Sequence, residues 1–266
     1  KLNIKGKIVI GEGELDEAPM LYIGEKVGTT NGPEIDIAVD PLEGTNFAAN
    51  NLPGALSVIA IAEKNNLFNA PETYMEKISA NVNEKGVVDL DYSTKENIFN
   101  LCEYLNKKPE SITACIMDRP RHKDIIDELN ILGVKVKLIT DGDVSGALLV
   151  TDDKYGVDIF LGIGGGPEGV LAAAALDTFE CSFQGRFLFH TEKDKRSAKR
   201  MGITNLSKKY ELNEIVKGDT IFCATGITSG DLVSGIRTKN NEFITETLVT
   251  HKSTGLKKII KKVENR

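Results

Sequence analysis

The stretch Ile35-Asp36-Ile37-Ala38-Val39-Asp40-Pro41-Leu42-Glu43-Gly44-Thr45 leads from an apolar run into an acidic turn. The apolar half has the length and composition of a buried β-strand. The proline stiffens the exit from that strand and the glycine permits a turn, so Asp40 and Glu43 are predicted to fold back toward a shared cation. Thr45 then presents a hydroxyl beside them. An ordinary acidic turn is the alternative.

A second acidic cluster, Gly11-Glu12-Gly13-Glu14-Leu15-Asp16, follows a predicted strand at residues 7–10. Glu12 and Glu14 are two residues apart, so in an extended segment both point to one face. Neighbouring carboxylates repel unless a cation lies between them, and oxygen ligands without histidine or thiolate favour Mg²⁺ or Mn²⁺ over zinc. The two clusters together predict a divalent-metal site and, with it, phosphate chemistry. A solvated strand end is the alternative for the second cluster.

The composition is that of an ordinary globular protein, with 266 residues, 41% of them hydrophobic and 27% charged. The net charge of −6 argues against binding to nucleic acid or anionic membranes and favours small ligands. No apolar run is long enough for a membrane helix. The histidines have no partners at metal-ligand spacing, which predicts surface or core roles. Scattered cysteines in apolar surroundings predict reduced core residues and a cytoplasmic protein: Cys102, Cys115, Cys181 and Cys223.

Strand-length apolar runs alternate with helical patterns throughout the chain, which predicts an α/β fold, mixed α+β and α/β, in two domains. A βαβαβ pattern begins near Ser111, after a predicted helix at residues 95–105. The predicted domains are therefore an α+β domain at residues 1–110, which carries the proposed metal site, and an α/β domain at residues 111–266. A predicted hairpin within residues 220–250 is left open between the two domains. Helices are also predicted at residues 16–27, at residues 170–176 and in a solvated tail from Lys257.

A glycine-rich loop, Gly162-Ile163-Gly164-Gly165-Gly166-Pro167-Glu168-Gly169, lies between a predicted strand and a predicted helix. It contains the GxGxxG spacing of a dinucleotide site. However, Glu168 falls at the start of the helix, where the pyrophosphate would lie, and two anions there would repel. A carboxylate facing a metal-bound phosphate fits better. A nicotinamide-dependent dehydrogenase and a simple tight helix entry are the alternatives.

Two smaller clusters follow predicted strands at the end where open α/β sheets bind ligands. Arg119-Pro120-Arg121-His122 contains arginine forks that match phosphate oxygens, with surface charge as the alternative. Asp141-Gly142-Asp143 is a short acidic turn suited to vicinal hydroxyls, and helix N-capping by Asp143 is its alternative. The role of Tyr74 is open on the sequence alone.

These stretches together resemble the class II fructose-1,6-bisphosphatase family, within the lithium-sensitive, metal-dependent superfamily of sugar and inositol phosphatases. The resemblance is most specific in residues 9–25 and 36–45 taken together. It covers nearly the whole chain, continuing through residues 69–71, 74–77, 120–122, 141–143, 162–165, 167–169 and 224–228. The family carries a longer N-terminal segment with a further metal-binding aspartate, so the resemblance also implies a truncated start. Arg119 stands where relatives often have lysine.

The resemblance implies a layered αβαβα sandwich of two domains, with the active site at their junction. The metal ligands it implies are Glu12, Asp40, Glu43 and Glu168. It implies that the attacking water is oriented or deprotonated by Thr45 together with Asp16 or Glu12. The substrate contacts it implies are Glu43, Gly44, Thr45, Tyr74, Arg119, Pro120, Arg121, Asp141, Gly142, Asp143 and Gly165.

The expected reaction is hydrolysis of the C1 phosphate of fructose 1,6-bisphosphate to fructose 6-phosphate in gluconeogenesis, assisted by two or more Mg²⁺ or Mn²⁺ ions. The expected partner is a small sugar bisphosphate, with no nucleic acid or membrane, and the family implies a homodimer or homotetramer. Sedoheptulose 1,7-bisphosphate and inositol phosphates are alternative substrates. A non-catalytic protein that binds sugar phosphate or metal is the alternative of another class.

Overall fold

The computed structural model of the chain describes residues 2–13, 19–29 and 31–265. The chain divides into two compact units. Unit 1 comprises residues 1–70, 170–178 and 213–266, and unit 2 comprises residues 71–169 and 179–212. This division differs from the domain boundary expected after residue 110, because residues 71–110 belong to unit 2. The segment at residues 220–250 belongs to unit 1.

Unit 1 is built on a mixed sheet, which has eight strands among the described residues. The strands are β1 (Lys5–Ile10), β2 (Lys26–Gly28), β3 (Glu34–Glu43), β4 (Leu56–Glu63), β11 (Thr220–Gly226), β12 (Arg237–Lys239), β13 (Glu242–His251) and β14 (Leu256–Asn265). Their order is β12-β13-β11-β4-β3-β1-β2, with β14 paired to β13. β1 runs parallel to β3, whereas β4 is antiparallel to both β3 and β11.

Burial explains why these segments form strands and where the core of unit 1 lies. β4 alternates buried and half-buried residues along its length, the pattern of a strand with one face on a core. Residues 170–178, most of helix α5 (Gly166–Phe179), are all buried. A helix that is apolar on every side is typical of a core position. A smaller cluster of Ile8, Ile37 and Val39 packs with Leu21 and Val27.

Unit 2 is built on a second mixed sheet, with six strands among the residues described. The strands are β5 (Tyr74–Ala80), β6 (Thr113–Met117), β7 (Lys135–Ile139), β8 (Ile159–Gly165), β9 (Ser182–Leu188) and β10 (Lys209–Glu211), in the order β10-β9-β5-β8-β6-β7. β6 pairs in parallel with both β7 and β8, so the predicted βαβαβ pattern is confirmed. The other helices are α1 (Thr45–Ala49), α2 (Thr94–Leu105), α3 (Lys123–Ile131), α4 (Asp143–Leu148), α6 (Glu192–Arg200) and α7 (Leu212–Ile215).

The α/β class predicted from sequence is confirmed, but two predicted helices are wrong. The tail from Lys257 forms β14, which pairs with β13 along its whole length and is exposed throughout. Residues 19–25 form turns and bends and residues 26–28 form β2, so the described part of the helix predicted at residues 16–27 is not helical. Residues 16–18 lie outside the described residues. β5 was not predicted, although the candidate site depends on it.

Candidate active site

The acidic stretch at the end of β3 is shaped by a bulge. The pairing of β3 with β4 shifts register between Asp40 and Glu43, and Pro41, which has no N–H to donate, lies within that shift. The Leu42 N–H donates to Asp40 Oδ1 at 2.9 Å, which closes the turn on the carboxylate itself. Asp40 is half-buried, and Glu43 is buried with 5% of its surface exposed. The bulge therefore holds two carboxylates near the end of a core strand, within β3 itself and not in a turn after it.

Gly44 and Thr45 continue this turn into helix α1. Gly44 has a φ of 79°, in the left-handed region that glycine adopts without strain. Thr45 is the first residue of the helix and is exposed, so its hydroxyl is accessible next to Glu43. The structure thus places the Glu43, Gly44 and Thr45 stretch at a strand-to-helix junction.

Glu12 lies in the turn that follows β1, and its backbone position is fixed by the segment at residues 21–23. The Glu12 N–H donates to the Leu21 carbonyl at 3.0 Å, and the Ile23 N–H donates to the Gly13 carbonyl at 3.0 Å. Although Glu12 is exposed, partial burial of its carboxylate raises its pKa, and the negative charge of Asp40 raises it further. One residue of each predicted acidic cluster, Glu12 and Asp40, therefore lies close to the other in unit 1.

The donor set of this pair fits a hard divalent cation. Two carboxylates that repel each other are oxygen ligands of the type that Mg²⁺ and Mn²⁺ prefer. Within residues 2–13, 19–29 and 31–265, however, no three His, Cys, Asp or Glu side chains are grouped closely enough to hold a metal. Asp16, a predicted catalytic residue, lies outside the described residues. The structure therefore brings two carboxylates, Glu12 and Asp40, close together. Any further metal ligands are a proposal.

In unit 2, Tyr74 and Arg121 come together at the ends of two strands. Tyr74 begins β5 and is exposed, and the Arg121 guanidinium carbon lies 4.9 Å from the centre of its ring. Arg121 also donates from Nε and Nη2 to the Ile163 carbonyl on β8, at 2.9 and 2.6 Å. These hydrogen bonds orient the guanidinium, and Nη1 takes no part in the bonds to the Ile163 carbonyl. An arginine so oriented is suited to a phosphate oxygen.

Asp143 is buried and paired with a lysine that the sequence analysis assigned no role. Asp143 is the first residue of α4, and Gly142 before it has a φ of 79°. The helix has no side-chain cap, so the N-capping alternative for Asp143 is wrong. Its carboxylate instead forms an ion pair with Lys77, a residue only 1% exposed. Lys77 also donates to the Gly165 carbonyl at 2.6 Å.

The glycines of the loop at residues 162–169 make room for these carboxylates. A Cβ on Gly164 would overlap the Asp143 carboxylate, and a Cβ on Gly165 would overlap that of Glu168. The glycine spacing therefore lets acidic side chains lie against the backbone at the end of β8. This arrangement gives a physical reason for the glycines that has nothing to do with a dinucleotide.

His122 ties the arginine cluster to the same strand. Its ring is fully buried, Nδ1 lies 2.7 Å from the Met117 carbonyl, and Nε2 accepts from the Ile163 N–H at 2.7 Å. These partners require a neutral ring with its proton on Nδ1. Burial lowers the pKa of His122 below its ordinary value of 6.5, and the Arg121 charge adds to that effect, although the bond to Met117 opposes it. The sequence analysis predicted a core or surface role, and the core role is confirmed.

This neutral histidine predicts a loss of stability in mild acid. The unfolded chain protonates His122 near pH 6.5, before the folded protein does, so stability is complete above that pH and falls as the pH drops below it. His122→Gln keeps at most one of the two hydrogen bonds. We expect it to lower the free energy of unfolding by about 1–3 kcal/mol at pH 7.5. We also expect that free energy to depend less on pH between pH 5.5 and 7.5. Urea denaturation at both pH values measures this, and a variant as steep as the wild type would contradict it.

The remaining predicted residues of unit 2 are Arg119, Pro120 and Asp141. Arg119 is half-buried, and its Nη1 donates to the Asp118 carbonyl at 3.0 Å. Pro120 opens a short 3₁₀ turn, and Asp141 is half-buried after β7. Lys77 was missed because β5 was missed. In a strand, Met75, Lys77 and Ser79 point to the same face. Had the strand been recognised, the apolar Met75 on that face would have indicated that Lys77 is buried.

Comparison with known proteins decides the family. Residues 1–264 match the family described as bacterial fructose-1,6-bisphosphatase, glpX-encoded. The chain belongs to this family. It is 43% identical to a protein of Synechococcus sp. (strain JA-3-3Ab) named D-fructose 1,6-bisphosphatase class 2/sedoheptulose 1,7-bisphosphatase, over 94% of this chain and 80% of that protein. A protein of the same name from Prochlorococcus marinus (strain MIT 9301) is also 43% identical, over 94% and 79% of the two chains.

Membership in this bisphosphatase family confirms the predicted resemblance and the predicted enzyme class, a phosphoric monoester hydrolase. The dehydrogenase alternative for the glycine-rich loop is thereby wrong. The alternative of a non-catalytic binding protein is not supported by this membership. Across the described residues, none of the helices has the length and apolar character needed to cross a membrane.

Proposed function

We propose that this chain hydrolyses the C1 phosphate of fructose 1,6-bisphosphate, giving fructose 6-phosphate and inorganic phosphate, a reaction of gluconeogenesis. The observation that carries this proposal is the family match over residues 1–264. The names of the relatives add sedoheptulose 1,7-bisphosphate as a second candidate substrate. A cytoplasmic location and a homodimer or homotetramer are part of the same proposal.

The neighbouring carboxylates of Glu12 and Asp40 in unit 1 support the binding of divalent metal. Glu12, Asp40 and Glu43 would hold it, and Thr45 would orient the attacking water with Glu12 or Asp16. A bound Mg²⁺ or Mn²⁺ would offset charge on the phosphate and favour ionisation of the water. The raised pKa of Glu12 supports this assignment, because the Asp40 charge that contributes to it is the repulsion that a cation relieves. Glu168 is proposed as a further ligand from the sequence.

The residues of unit 2 fit the binding of a phosphorylated sugar. Arg121 would bind a phosphate through its fork, supported by the Tyr74 ring and the Ile163 carbonyl. Asp143 and Asp141 would accept hydrogen bonds from sugar hydroxyls across Gly142. Arg119, Pro120 and Gly165 complete the proposed contacts.

A substrate panel tests the proposal. We expect phosphate release from fructose 1,6-bisphosphate with Mg²⁺ or Mn²⁺, and at least 100-fold less after EDTA treatment, because an unassisted phosphoryl transfer lacks the charge stabilisation that metals supply. Restoring activity by adding back each ion separately identifies the preferred metal. Sedoheptulose 1,7-bisphosphate and an inositol monophosphate form the other arms. Full activity in EDTA, or release from the inositol phosphate alone, would contradict the proposal.

A further inference from the structure

Lys77 is a buried lysine to which the proposed reaction assigns no part. The residue is 1% exposed and lies on β5 between Met75 and Ser79, both of which are also buried. A buried ammonium group is costly unless it is paired and fully hydrogen-bonded. The partners of Lys77 should therefore explain why a lysine occupies this position.

Both partners of Lys77 belong to segments proposed to contact the sugar phosphate. Its ammonium nitrogen forms an ion pair with Asp143, at the start of α4. The same nitrogen donates to the Gly165 carbonyl at 2.6 Å, at the end of β8. β5 is the neighbour of β8, with Tyr74 paired to Gly165. One side chain thus connects β5 with the acidic turn and with the glycine-rich loop.

Resting on the proposed function, we infer that Lys77 is a positioning residue that prepares Asp143 and Gly165 for the sugar phosphate. One Asp143 oxygen is held by Lys77, whereas Oδ1 is buried and has no hydrogen-bond partner among the described residues. A buried acceptor held in a fixed orientation is suited to a sugar hydroxyl. The lysine charge also offsets the Asp143 charge, which would otherwise repel a phosphorylated ligand.

A purely structural ion pair is the rival explanation, and the two differ in what they predict for ligand affinity. A pair that only stabilises the fold would lower the melting temperature without changing affinity in the protein that remains folded. A positioning pair would raise the KM and weaken product binding, with a smaller change in kcat, because the sugar is held less well. Affinity in the folded variant therefore separates the two.

The test compares Lys77→Met with a matched control, Lys209→Met. Lys209 is also a poorly exposed lysine of unit 2, with its side chain 20% exposed, and it pairs with Asp89 and Asp91. Calorimetry measures binding of fructose 6-phosphate, and phosphate release measures KM and kcat with fructose 1,6-bisphosphate. For Lys77→Met we expect the product Kd and the KM to rise by about tenfold or more, with kcat within about threefold of wild type. For Lys209→Met we expect wild-type KM and Kd.

A double substitution tests whether Lys77 acts through Asp143. We expect Lys77→Met combined with Asp143→Asn to have a KM no higher than that of Asp143→Asn alone, because residues that act through one contact are not additive. If Lys77→Met does not fold, Lys77→Gln is judged by the same affinity criterion, since its shorter, neutral amide removes the ion pair with Asp143 while keeping a polar group at this position.

The outcomes separate the positioning role from the proposed function. A folded Lys77 variant with wild-type KM and Kd overturns the positioning role, and so does an equal loss of affinity in Lys209→Met. Wild type that hydrolyses fructose 1,6-bisphosphate in the same assay shows that only the positioning role has failed. Wild type that neither binds fructose 6-phosphate nor releases phosphate from the bisphosphate overturns both.

Discussion

Asp40→Asn is expected to lower kcat for phosphate release from fructose 1,6-bisphosphate by about a thousandfold at saturating metal, which corresponds to about 4 kcal/mol of transition-state stabilisation. The physical reason is the loss of a charged oxygen, a proposed metal ligand, at the bulge of β3 near Glu12. A neutral amide binds a divalent cation less well and leaves more of the phosphate charge without compensation. Phosphate release measured across a metal titration checks this expectation.

The fold should tolerate this change. Asn has the shape of Asp, and its side-chain oxygen can still accept the Leu42 N–H that closes the turn. Removing the charge also relieves the repulsion from Glu12. We therefore expect a metal-free melting temperature equal to or slightly above that of wild type. Near-normal phosphate release by this variant would show that Asp40 is not a metal ligand.

Glu34→Gln is the matched control for Asp40→Asn. Glu34 begins the same strand, is exposed, and pairs with Lys64 at 3.0 Å. Exposed ion pairs contribute little to stability, so this variant should keep both its activity and its melting temperature. A comparable loss of activity in both variants would point to damage to β3 as a whole.

The elements that sequence predicts well are those with one dominant physical signal. Residues 35–39 are mostly apolar, and the strand predicted there is found, although it continues through a bulge to Glu43. The tail shows the opposite case. Leu256, Ile259, Ile260 and Val263 have the spacing of an amphipathic helix, yet the segment pairs with β13 from end to end. Backbone hydrogen bonds to β13 decide that this tail is a strand. The local pattern of apolar residues does not reveal that partner.

The candidate site divides in the same way. Residues near the end of a strand, such as Asp40 and Asp143, could be found because the strand before them is recognisable and strand ends are where sites form. Lys77 could not be found, because its significance depends on partners 66 and 88 residues away in the chain. The glycines at residues 164–169 also match the spacing of a nicotinamide cofactor site. In the structure, Gly164 and Gly165 instead leave room for acidic side chains.

Gly165→Ala is expected to reduce activity strongly while leaving the fold intact. A Cβ at this position would overlap the Glu168 carboxylate, which is the flexible end of its side chain and can move aside. Gly165 has no left-handed backbone conformation to be strained by the change. Because Glu168 is a proposed metal ligand, we expect kcat to fall by about 100-fold and the metal concentration for half-maximal activity to rise. A metal titration of phosphate release measures both.

Two further variants isolate the cause of that loss. Gly156→Ala, in the same unit, adds a Cβ to open space at a φ of 65°. It should cost about 1 kcal/mol of stability and leave the metal titration unchanged. If Gly165→Ala acts by displacing Glu168, the double variant with Glu168→Ala should be no less active than Glu168→Ala alone, because the displaced side chain is already absent. A double variant with about 100-fold less activity than Glu168→Ala would show that the methyl group disturbs substrate binding at Gly165 itself. In that case Gly165 would be needed for contact with the sugar phosphate, and making room for Glu168 would not explain the glycine.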